Sequence, residues 1–101
     1  MAIAFRDVNI FVPVGSGTKV LNGTAFFNDT SDVRAADVAI KGFRFDYTDG
    51  DHHINVIEVR AGVLSLTNNT VQVEVLCEYA DQNFDDAYTG RILLLVMAEV
   101  A

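Results

Sequence analysis

The chain has 101 residues, of which 50% are hydrophobic and 21% charged. That balance excludes a disordered polymer and points to one compact domain spanning 1–101. Fourteen acids against seven bases give a net charge of −7, and the bases stand singly along the sequence. Neither nucleic acid nor an anionic membrane is expected as a partner, because both require clustered cations.

In chain order, Val8, Ile10, Val12 and Val14 alternate with less apolar neighbours and predict a strand with these four on one face. Gly15-Ser16-Gly17 closes it. Thr18 to Phe27 reads as a further strand, with Asn22-Gly23 offering a hairpin turn inside it. Ser31 to Ala36 is the one segment suited to a short helical turn, capped by Ser31 or Asp32, with Val38 to Ile40 extended beyond it. Phe43, Phe45 and Tyr47 then share a strand face, ended by Asp49-Gly50-Asp51. Weaker strands are predicted over Ile54 to Arg60 and Val63 to Leu66, separated by a bend at Ala61-Gly62. Asn68-Asn69 marks the next turn. Val71, Val73, Val75, Cys77 and Tyr79 follow at period two. The predicted inner face comprises Phe43, Phe45, Tyr47, Val71, Val73, Val75 and Cys77. The fold class is all-β, an antiparallel β-sandwich of about six to eight short strands with at most one helical turn.

The last strand, Ile92 to Ala98, is apolar on both faces. A sheet in a two-layer sandwich shows one face to water, so this strand needs a second cover. A second copy of the chain is the expected cover, with Leu93, Leu95 and Met97 at the interface and Ile92, Leu94, Val96 and Ala98 in the core. The assignment of the two faces could be reversed, and a loop of the same chain is the competing cover.

Few residues suggest chemistry. In Asp81-Gln82-Asn83-Phe84-Asp85-Asp86, oxygen ligands at alternate positions resemble the start of a calcium loop. The sixth position is Asp86 rather than glycine and the twelfth is Ile92 rather than glutamate, which excludes an EF-hand. A polar turn is the simpler reading, with calcium on Asp81, Asn83 and Asp85 as the alternative. His52 and His53 beside Asp51 would point to opposite faces of a strand and do not converge on one ion. A hydrolase built on them is the least favoured reading. Cys77, the single cysteine, has no disulfide partner and lies in register with core valines, where a thiol is inert. Three Asn-x-Thr triplets, beginning at Asn22, Asn28 and Asn68, read as turn composition. No nucleophile elbow, P-loop or dinucleotide fingerprint occurs, so a non-enzymatic protein without a required cofactor is expected. Met1 to Asp7 lacks the layout of a secretory signal, and no run reaches the ~18 apolar residues of a membrane helix. A cytoplasmic or virion-associated location is expected.

Gly42 to Ile54 and Asp81 to Arg91, running on into Leu95-Val96-Met97-Ala98, resemble small β-sandwich proteins of marine phages and bacteria. More distantly they resemble the H-type lectin domain. That resemblance implies an antiparallel sandwich, a homo-oligomer with a trimer favoured, and galactose-type sugars as ligands. The departures are specific. H-type lectins carry tryptophans and this chain has none, and no sugar-contacting residue carries over by position. Asp81, Asn83, Asp85 and Tyr88 are the loop residues left to touch a carbohydrate, with Tyr88 and Phe84 available to stack. Two functions are therefore expected: a self-assembling structural component of a phage-like particle or, alternatively, a carbohydrate-binding module.

Overall fold

The computed structural model describes residues 2–27, 32–48, 54, 56–80 and 86–100. Six strands run in chain order: β1 (Ala2–Gly15), β2 (Lys19–Phe26), β3 (Val33–Tyr47), β4 (Val56–Thr67), β5 (Thr70–Ala80) and β6 (Tyr88–Val100). They form two antiparallel three-stranded sheets, ordered β1-β6-β3 and β2-β5-β4. β1 packs on β2 and β3 on β4. The all-β sandwich expected from the alternation is the architecture observed.

The strands are long rather than short. β1 has 14 residues and β3 has 15; at ~3.3 Å per residue this is close to the 48 Å long axis, against 18 and 17 Å across. A body three strands wide has one interior strand per sheet and two edges, so its interior is small relative to its outer faces. The core accordingly draws mainly on β5 and β6. Val71, Val73, Val75 and Cys77 of β5 and Ile92, Leu94, Val96 and Ala98 of β6 are buried, joined by Val8, Ile10 and Val12 of β1.

Several local expectations are corrected. Val33 to Ala36 is extended, because β6 pairs with it on both sides of an irregularity at Arg34 (Val33↔Val100, Ala35↔Glu99, Ala36↔Ala98) and Val33 N–H donates to Asn68 O at 2.7 Å. Ser31 lies outside the described residues. Asn22-Gly23 is no hairpin; β2 runs straight through it. A Cβ on Gly23 would come within 2.6 Å of Ile10 Cδ1 and 2.9 Å of Val8 Cγ1, so glycine here permits close approach of the two sheets. Ala61-Gly62 is likewise continuous strand, and the irregularity of β4 falls between Val63 and Ser65. Val14 is exposed because the β1 register shifts between Val12 and Gly15. Phe45 and Tyr47 pack against the core, but Phe43 is 50% exposed; it sits on an edge strand just past an irregularity between Ile40 and Gly42. The turn at Asn68-Asn69 does form, joining Thr67 to Thr70, with Asn68 at φ 49°, a conformation asparagine tolerates.

Candidate functional site

One end of the sandwich is closed by an aromatic cluster. Tyr79 stacks on Phe45 with centroids 5.4 Å apart, Tyr47 meets Tyr79 at 4.5 Å, and Tyr88 meets Phe45 edge-on at 5.7 Å. Tyr88 is fully buried, and its hydroxyl donates to Gly17 O at 2.7 Å and lies 3.3 Å from Cys77 O. Where β1 leaves the ladder after Val12, its freed carbonyls are taken by side chains. Thr89 Oγ1 donates to Val12 O at 2.8 Å, and the Lys19 ammonium donates to Pro13 O and to Tyr88 O at 3.2 Å. That ammonium also sits 4.1 Å above the centre of the Tyr88 ring. The expected sugar-stacking role of Tyr88 is therefore corrected: its ring belongs to the core and is capped by Lys19. Asp81, Asn83 and Asp85, together with Phe84, His52, His53 and Asp51, lie outside the described residues. Among the described residues no group of three or more His, Cys, Asp or Glu is placed to hold a metal ion, and no helix is long and apolar enough to cross a membrane.

Burial pushes the Cys77 thiol up, and it raises the Tyr88 hydroxyl well above the ordinary tyrosine range. Desolvation lowers the Lys19 ammonium. The two raised acids hold their protons more tightly folded than unfolded. Their contribution is whole below the unfolded values and is lost as pH rises beyond them. Lys19 acts in the opposite sense below its ordinary value. Stability measured by urea midpoints is expected to fall from about pH 9 upward, first through Cys77 and then through Tyr88. Cys77→Ala should flatten the first part of that decline, and an unchanged profile would show that the thiol does not contribute.

The outer face of the β1-β6-β3 sheet is different in character. Ile92, Leu94, Val96 and Ala98 point into the core, as expected, which leaves Leu93, Leu95 and Met97 half-buried on the outside. Strand register sets Phe5 beside Met97 and Ala39 beside Leu95. Ile3 and Phe5 are 59% and 55% exposed. These residues form one apolar band along the middle of the face. Asp7 and Lys41, on the two edge strands, make a 3.0 Å ion pair. Since β6 lies between them and its inner side is core, the pair must arch over its outer surface.

Charged residues close both ends of the band. Arg91 stands directly opposite Arg44, and Arg44 Nε bonds Asp46 Oδ2 at 3.1 Å. A shallow depression of about 410 Å³ lies beside them, lined by Asn9, Gly42, Phe43 and Leu93. At the other end Glu99 pairs with Ala35, and Asp37 with Met97. Thus cations that stand singly in the sequence are brought together by strand pairing. Like charges directly opposite repel, so Arg44 and Arg91 gain no stability from each other. Among the described residues Arg91 and Glu99 have no ion-pair partner. The sequence reading found the apolar residues but passed over Arg91 and Glu99, although the same two-residue step leads to both. Comparison with family models, curated proteins and solved structures finds no match to this chain.

Proposed function

We propose that the chain is a non-catalytic, self-assembling β-sandwich whose outer β1-β6-β3 face binds further copies of itself. The observation that supports this is the apolar band of Leu93, Leu95 and Met97 with Ile3 and Phe5 beside it. Monomeric proteins rarely leave a contiguous apolar patch of this kind in water, and such patches mark association surfaces. On the outer side of its central strand the other sheet carries Gln72, Glu74, Leu76 and Glu78, with no run of apolar residues like that of β6. A structural role in a phage-like particle rests on the resemblance noted above. A carbohydrate-binding role has lost Tyr88 as a stacking ring.

Leu95→Glu tests the proposal. It places a charge at the centre of the band without entering the core, so it should dissociate the assembly while leaving the circular dichroism spectrum unchanged. A wild-type protein that light scattering finds monomeric at ~100 μM, well above the Kd of a specific complex, would overturn the reading.

A further inference from the structure

Along the outer side of β6 the side chains run Arg91, Leu93, Leu95, Met97, Glu99: a cation, three apolar groups and an anion. The order is self-complementary. We infer that two copies pair face to face about a two-fold axis at Leu95, perpendicular to the strands, so that Arg91 of each copy meets Glu99 of the other. This rests on the proposed self-association and specifies its geometry.

The geometry follows from two constraints. First, an axis across the strands reverses their direction. Leu95 then lies at the axis, beneath the Asp7–Lys41 pair of each copy, Leu93 is set opposite Met97, and the two ends of the stripe exchange partners. Arg91 to Glu99 spans eight residues, ~27 Å at ~3.4 Å each, which fits within the 48 Å length of the domain. Second, the flanking charges agree with this axis and disagree with the other. The cationic end holds Arg91 with Arg44 beside it, Arg44 being bonded to Asp46, and the anionic end holds Glu99 with Asp37 one step further in, opposite Met97, so the pair matched by this axis, twice in the dimer, is Arg91 with Glu99. Arg34, at the β3 irregularity, adds a cation beside this end; among the described residues it is not ion-paired to Asp37 or Glu99. A two-fold axis parallel to the strands would instead stack Arg91 on Arg91 and Glu99 on Glu99.

The pairing also accounts for the ion pair laid across β6. Asp7 is in register with Leu95, at the level of the axis, where each copy would bring its own Asp7 toward the other. Lys41, 3.0 Å away, neutralises it. Sheets packed face to face cross at ~30°, so the contacts on the central strand are the most closely matched. Arginine is favoured at such interfaces, and a closed two-fold contact uses one patch on both copies.

The test is a charge exchange. Arg91→Glu alone creates two Glu–Glu contacts per dimer, and Glu99→Arg alone creates two Arg–Arg contacts. Each is expected to weaken association about ten-fold or more, read by sedimentation velocity. An equimolar mixture of the two variants restores both opposite-charge pairs and should sediment as a heterodimer. Circular dichroism checks that each variant is folded; if a reversal unfolds the chain, Arg91→Gln and Glu99→Gln should weaken association and remove its salt dependence. Wild-type mass corresponding to a trimer, variants that associate like wild type, or a mixture that stays monomeric would overturn the two-fold arrangement while leaving self-association standing. A monomeric wild type would overturn both.

Discussion

Gly90→Ala is expected to destabilise the fold more than any other single-methyl addition in the chain. Gly90 lies on β6 opposite Phe45 of β3. A Cβ there would sit 2.1 Å from the Arg44 carbonyl oxygen and 2.8 Å from Phe45 Cδ1. The nearer obstacle is backbone, which cannot rotate away as a side chain can. Relief requires moving β3 from β6, which breaks ladder hydrogen bonds and lifts Phe45 off the aromatic cluster. Overpacking costs ~1–3 kcal/mol where side chains can adjust, and this site belongs at or above the top of that range. The thermal midpoint should fall by more than ~10 °C. Gly62→Ala is the internal control: a Cβ there meets nothing within 4 Å, and alanine in an extended strand should be neutral or slightly stabilising. Equal midpoints for the two variants would mean that β3 and β6 do not approach this closely.

Truncating Tyr88 is the second large effect. Its ring has no exposed surface and lies between Phe45, Tyr79 and the Lys19 ammonium. Tyr88→Ala empties this end of the core and should cost ~3–5 kcal/mol, the usual range for a buried aromatic. Tyr88→Phe keeps the ring and removes only the hydroxyl. It should cost ~1–2 kcal/mol, because the Gly17 carbonyl loses its 2.7 Å donor next to the β1–β2 turn. The two variants separate packing from hydrogen bonding, read as urea midpoints. If Tyr88→Phe is as stable as wild type, the turn is not held by the hydroxyl. If Tyr88→Ala costs no more than Tyr88→Phe, the ring is not a core element.

Most of the sandwich was legible from period-two alternation, since that signal depends only on one face being dry. The valines of β5 and the two-faced apolar run of β6 needed no tertiary information, and the division of β6 into Ile92, Leu94, Val96 and Ala98 inside against Leu93, Leu95 and Met97 outside is as expected. Dipeptide turn signals were less reliable. Asn22-Gly23 and Ala61-Gly62 carry turn composition, yet both are continuous strand. At Gly23 the reason is long-range: the missing side chain makes room for Ile10 and Val8 of the facing sheet, which no local window contains. The helical turn at Ser31 to Ala36 failed for a similar reason, as the ladder offered by β6 outweighs a weak local preference.

Strand order and register belong to the tertiary structure alone. They place Arg44 against Arg91 from positions far apart in sequence, set Phe5 beside Met97, and carry the Asp7–Lys41 pair over β6. They also turn Tyr88 from a loop residue into a core residue, because β6 begins there and points its ring inward. Alternation along one strand says which side chains share a face. Which faces become neighbours is decided only when hydrogen bonding aligns one strand with the next, and that alignment arranged the charged ends of the apolar band.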